Sequence, residues 1–145
     1  MRLMSFSIAV GVLALSAAAA SAQGANRVGV TVTGVRSDAG VVRCGLYANS
    51  SGFPQPGREL RGAVARISGN QATCVFNNVP PGTYAVAAFH AEQNETRMQY
   101  GAFGKPKQGY GFSGNPSSSF GAPTFSAASF DYRGGTQALQ VRLQY

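Results

Sequence analysis

The hydrophobic residues of this chain recur at every second position, in short segments separated by glycine, proline, serine and asparagine. The pattern is clearest near the chain end, where Leu139, Val141 and Leu143 alternate with polar residues. Alternation over a few residues predicts a half-buried β-strand. The same criterion predicts seven strands, which cover residues 27–36, 41–48, 61–68, 72–76, 83–90, 126–132 and 137–145.

The fifth of these segments is apolar on both faces. Pro81 and Gly82 predict a turn before it, and the strand then runs from Tyr84 to Phe89 and ends at His90. A strand with two apolar faces lies inside a sheet or between two layers. We therefore expect this segment to run through the interior of the fold.

No part of the chain after residue 22 shows helical periodicity for more than a turn or two. Seven short strands with turns between them predict an all-β fold, namely a single antiparallel β-sandwich. The turn signal at residues 37–40 predicts that the first two strands form a hairpin.

A long segment, residues 91–125, interrupts the strand pattern with many glycines and aromatic residues. Long loops inside compact domains are usually functional or disordered, and the aromatic content argues against full disorder. We expect the segment to fold back over one edge of the sandwich as a structural flap. The alternative is a ligand groove lined by His90, Tyr110 and Phe112.

The N-terminus has the features of an export signal. A single charge, Arg2, precedes an apolar run over residues 8–15, and Ala20, Ser21 and Ala22 fit the small-x-small cleavage pattern. The run is too short for a membrane span. We therefore predict a signal peptide at residues 1–22, one domain at residues 23–145 and a periplasmic or secreted mature protein with no transmembrane segment.

Two cysteines, Cys44 and Cys74, occur at apolar-facing positions of their strands. An even pair in an exported chain predicts a disulfide, although buried free thiols remain open. A metal site is disfavoured because the chain has a single histidine and no zinc-type spacing.

The mature chain is basic but has no basic cluster. Arg2 falls in the predicted signal peptide, so 11 of the 12 basic residues remain against 5 acidic ones. Scattered charges in an exported protein disfavour a nucleic-acid partner. An anionic envelope polymer or another envelope protein is the partner that the composition allows, and a solvated basic surface is the simpler interpretation.

Three blocks, residues 79–90, 104–113 and 120–125, together with Ala128 and Phe130, resemble the bacterial exported family known as domain of unknown function 2141. The resemblance implies a small exported β-sandwich, similar to prealbumin-like or carboxypeptidase-regulatory-like modules. The predicted sandwich of about seven strands is of the prealbumin-like or immunoglobulin-like kind. It implies a fold more than an activity.

Members of that family carry an acidic loop resembling a calcium site after the histidine. At the matching residues 91–99, only Glu95 keeps a carboxylate on the alternate positions, and Arg97 opposes a cation. Calcium requires six to eight oxygen ligands, several from carboxylates. We predict no tight calcium site, no other metal site and no cofactor.

Catalytic residues are scarce. His90 is the single imidazole, Ser113 lacks a nucleophile-elbow motif, and Glu92 and Glu95 lie in a polar loop. We therefore predict a non-enzymatic binding or interaction module of the bacterial cell envelope. The alternatives are a purely structural or stress-related envelope protein without a ligand, and a hydrolase of an envelope polymer.

Overall fold

A computed structural model describes residues 26–117 and 121–145. The predicted signal peptide lies outside the described residues. The strands are β1 (Arg27–Thr33), β2 (Val41–Tyr47), β3 (Arg61–Arg66), β4 (Gln71–Asn77), β5 (Gly82–Ala91), β6 (Tyr110–Phe112), β7 (Phe130–Tyr132) and β8 (Thr136–Arg142). A 3-10 turn (Ala102–Gly104) and a short helix, α1 (Phe125–Ala128), complete the described elements.

Two sheets pack as a sandwich. The three-stranded sheet has the order β4-β1-β8, and the five-stranded sheet has the order β3-β2-β5-β6, with β7 paired to the start of β5. All strand pairs are antiparallel except β1 with β8, which is parallel. The predicted all-β sandwich is confirmed, and β6 adds an eighth strand within the described part of the chain.

Alternating side chains from both sheets fill the core. Val28, Val30 and Val32 of β1 are fully buried. Cys44 of β2 and Cys74 of β4 form a disulfide in this core, so the predicted bond is confirmed and joins the two sheets covalently.

The predicted hairpin between the first two strands is wrong. β1 pairs with β4 and β8, whereas β2 pairs with β3 and β5. The turn at residues 37–40 carries the chain from one sheet to the other. Gly40 has a φ of 70°, and a side chain there would clash with the Ala91 carbonyl oxygen. The turn therefore packs against the end of β5, where only glycine fits.

Strand β5 lies between β2 and β6, as its two apolar faces predicted. Tyr84, Val86 and Ala88 face the core between the sheets, whereas Ala85 is buried in a second apolar cluster on the outer face. The long segment contributes β6, which covers the edge of β5 and also bridges Tyr110 to Gln144. The described part contains no helix with the length and apolar character of a membrane span.

Candidate functional site: a groove on the outer face of the five-stranded sheet

The outer face of the five-stranded sheet carries a groove whose floor consists of very small residues. Gly45 of β2 pairs with Gly62 of β3 on one side and with Ala87 of β5 on the other. Because paired residues share a face, the three lie in one row across three strands. The row ends at Phe112 of β6, which pairs with Ala87. An aromatic ring therefore closes the floor at the β6 end.

The neighbouring row holds large side chains and forms one wall of this outer-face groove. Arg43 pairs with Val64 of β3 and with Phe89 of β5. Phe89 in turn pairs with Tyr110 of β6. These residues lie two positions from the floor residues in their strands, so they project to the same side. All four line the groove.

An aromatic cluster supports the opposite wall. Tyr47 packs edge-on against Phe53 with ring centroids 5.2 Å apart, and Phe53 contacts Phe112 and Phe125 at 5.9 Å. The Tyr47 hydroxyl donates to the carbonyl of Gln55 at 3.1 Å. Burial raises the pKa of Tyr47 to about 12. The wall is therefore a packed layer with its polar hydroxyl satisfied.

Residues 96–106 of the long segment form the rim. The backbone N–H of Lys107 donates to the carbonyl of Gln99 at 2.8 Å, which ties the base of this loop together. Tyr100 is 57% exposed, and Phe103 is fully exposed at 107% with a φ of 61°. Exposed aromatic residues beside a concave apolar surface are typical of ligand sites.

The groove has a volume of about 690 Å³, which is in the usual range for small-molecule sites. Three cations line it, Arg43, Arg97 and Lys105, against one carboxylate, that of Glu59. The Glu59 carboxylate accepts a hydrogen bond from the backbone N–H of Gly57 at 2.7 Å. The site therefore combines an apolar floor with a positive local charge, an arrangement suited to noncovalent binding.

The structure brings together two of the three residues predicted to line a groove. Tyr110 and Phe112 both line it, whereas His90 is fully buried and is absent from the lining. His90 follows Phe89 in β5, so its side chain projects to the opposite face of the sheet. The predicted set therefore combined residues from opposite faces of the five-stranded sheet.

His90 instead connects three distant parts of the chain. Its Nε2 lies 2.7 Å from the carbonyl oxygen of Ala39, and its Nδ1 lies 2.8 Å from the hydroxyl of Tyr145. Because a carbonyl only accepts, Nε2 is the donor, and in the neutral ring Nδ1 accepts from Tyr145. Both ring nitrogens are therefore engaged in holding the β1–β2 turn and the chain end.

The residues considered for hydrolysis are engaged elsewhere. The Ser113 hydroxyl accepts from the N–H of Val86 at 2.8 Å and donates to the carbonyl of Ala128 at 2.5 Å. The Ser113 side chain therefore continues the hydrogen bonding along the edge of β5 past the end of β6, and it holds the C-terminal end of α1. Ser113 and His90 each bond to other groups, and the structure shows no hydrogen bond between them in its described part.

The acidic residues of the 91–99 loop also have partners. Arg36 donates two hydrogen bonds to the Glu92 carboxylate, and these lower the pKa of Glu92 below its usual value. The Glu95 carboxylate accepts from the N–H of Gln93 at 3.0 Å. Over residues 26–117 and 121–145, no three His, Cys, Asp or Glu side chains are grouped as a metal site requires. Weak or absent calcium binding stays a prediction for titration.

Sequence reasoning missed the residues that shape the groove. Gly45, Gly62 and Ala87 lie in three different strands, and only the register between strands puts them in one row. Alternation within β2 puts Arg43 on the face opposite to Cys44, as the spacing of that strand alone indicates. The sequence feature that could have revealed the groove is a small residue at an outward-facing position in each of these three strands.

The fold and this groove together define a class, a small two-sheet β-sandwich with a concave pocket on the outer face of one sheet. The chain belongs to the family of uncharacterised proteins conserved in bacteria, domain of unknown function 2141, whose match covers residues 30–140. The resemblance drawn from the three sequence blocks is thereby confirmed. Neither the curated proteins nor the solved structures contain a match to the chain.

Proposed function

We propose that this protein is an exported, non-enzymatic binding module of the bacterial cell envelope, and that the outer-face groove is its ligand site. The observation that carries the proposal is the groove itself, with a floor of glycine and alanine and a volume of about 690 Å³. Gly45 makes room for the Tyr47 ring, which an added Cβ would meet at 3.0 Å, whereas Gly62 leaves open space, because an added Cβ there has no heavy atom nearer than 4.0 Å. The open floor at Gly62 is therefore the part of the groove that no packing side chain explains.

Export is supported by the signal-like N-terminal sequence and by the disulfide, which persists in oxidising compartments. The residues considered for hydrolysis are bonded to backbone groups or to Arg36, which supports a non-enzymatic role. A structural or stress-related role without a ligand is the alternative that binding measurements separate from this proposal.

The proposal is tested by a substitution that places a large side chain on the floor of the groove. An added Cβ at Gly62 has no heavy atom nearer than 4.0 Å, so a Gly62→Phe substitution places its ring in the groove without a backbone clash. Binding of the neutral fluorescent probe phenylnaphthylamine to the mature protein is the measurement. We expect Gly62→Phe to weaken probe binding by about tenfold or more, because the ring occupies the volume that the probe needs.

Gly29→Phe is the matched control. Gly29 lies on β1 in the other sheet, and an added Cβ there also has its nearest heavy atom at 4.0 Å. This variant should bind the probe like the parent. Equal binding by Gly62→Phe would place the site elsewhere, and no binding by the parent would favour the structural alternative.

A further inference from the structure

Arg43 has no protein partner for its charge in the described part of the chain. Its Nε is buried without a hydrogen-bond partner. Its neighbours across the strands, Val64 and Phe89, have apolar side chains that cannot accept a hydrogen bond. The salt bridge between Arg and Glu side chains recorded in the described residues joins Arg36 to Glu92 and does not involve Arg43. A half-buried guanidinium beside apolar side chains and without a counter-ion is costly.

The other charges around the groove do not compensate for Arg43. Arg97 and Lys105 add two further cations from the rim, and neither has an ion pair in the described residues. Glu59 is the one acid in the lining, and its carboxylate is engaged by the Gly57 N–H. Three cations therefore face one carboxylate in the lining, and the groove keeps an excess of positive charge.

The length of the groove indicates the size and shape of the apolar part of a ligand. The wall row crosses four strands, from Val64 on β3 to Tyr110 on β6. Three interstrand spacings of about 4.8 Å make this row roughly 14 Å long. That length and the apolar floor match an extended hydrocarbon chain of about a dozen carbons, whose methylene groups are stabilised when they leave water.

We propose that the outer-face groove binds an amphiphile with one hydrocarbon chain and one anionic head group, and that the Arg43 guanidinium is the group that binds the anion. This inference rests on the proposed binding function. A guanidinium offers N–H groups in a planar fork that suits both carboxylate and phosphate, and such charge-assisted hydrogen bonds are the strong ones. The ligand thereby supplies the counter-ion that the protein lacks.

The experiment compares ligands that differ only in the head group. Dodecanoate, dodecyl phosphate and the neutral dodecanol are used to displace phenylnaphthylamine from the mature protein and from Arg43→Met, which keeps an apolar side chain without charge. We expect Arg43→Met to bind the preferred anion about tenfold to a hundredfold more weakly, with dodecanol binding unchanged. Whichever anion displaces the probe at lower concentration identifies the head group.

Arg66→Met is the control for charge alone, because Arg66 is an exposed residue at the end of β3 that does not line the groove. It should leave anion binding unchanged. Salt offers a second readout on the unmodified protein, since salt should weaken anion binding and not dodecanol binding. Equal affinity for anions and dodecanol would overturn the role of Arg43 while leaving the groove intact. Failure of all three ligands and the probe would overturn the binding function as well.

Discussion

Phe103 is the residue whose conformation is hardest to explain by folding alone. Its φ of 61° lies in the left-handed region, where a bulky side chain costs of order 1–3 kcal/mol. Its side chain is fully exposed, so packing against the described part of the chain does not offset the backbone strain. Such strain concentrates at ligand sites. Phe103 lies at the rim of the groove, where its ring would contact an apolar molecule bound as proposed.

A substitution at Phe103 can change ligand binding without changing the stability of the fold. Phe103→Ala should leave the free energy of unfolding within about 0.5 kcal/mol of the parent, because the side chain that is removed is exposed. The same variant should weaken phenylnaphthylamine binding by about threefold to tenfold, since burial of a large apolar side chain against a ligand contributes on this scale. Fluorescence titration and denaturant unfolding measure the two quantities.

Leu60→Ala serves as the comparison. Leu60 is likewise an exposed apolar residue, at 51%, but it does not line the groove. It should change neither binding nor stability by a measurable amount. If the Phe103 variant bound the probe as tightly as Leu60→Ala, the rim would have no part in binding.

At the scale of the elements, alternation predicted where strands occur and which of their faces point inward. The valines of β1 and both cysteines lie in the core as their spacing indicates. Alternation is a local property, because it depends on the pleat of one strand. It carries no information about which strand lies beside another, and the predicted β1–β2 hairpin failed for that reason.

The groove depends on the same missing information. Gly45, Gly62 and Ala87 form a continuous floor only because β2 pairs with β3 and β5 in one particular register. A shift of one residue would turn each strand's side chains to the other face. Tyr110 and Phe112 were recognisable as aromatic residues in a long segment, but the separation of His90 from them required the position of β6 along β5.

At the scale of the whole molecule, the disulfide joins the two sheets covalently through side chains, in addition to the backbone connections. Cys44 lies in the five-stranded sheet and Cys74 in the three-stranded sheet, 30 residues apart in sequence. The groove is on the outer face of the five-stranded sheet, whereas the disulfide lies in the core between the sheets, so the bond supports the sheet from the opposite face.

Removing this bond should destabilise the protein without removing the groove. The Cys44→Ala and Cys74→Ala double variant should lose about 3–4 kcal/mol of unfolding free energy, because the loop between the cysteines is no longer closed in the unfolded chain. Denaturant unfolding of the variant and of the parent with and without reductant measures the loss. An unchanged midpoint in all three samples would show that the bond does not stabilise the fold.

The most direct test of a ligand site in the outer-face groove is a nuclear magnetic resonance titration of the isotope-labelled mature protein with dodecanoate. If dodecanoate binds in the outer-face groove, the amide signals of Gly45, Gly62 and Ala87 shift together and saturate with one affinity, while that of Gly29 in the other sheet does not move. Shifts confined to the three-stranded sheet, or no saturable shifts at all, would contradict the claim that the outer-face groove is a ligand site.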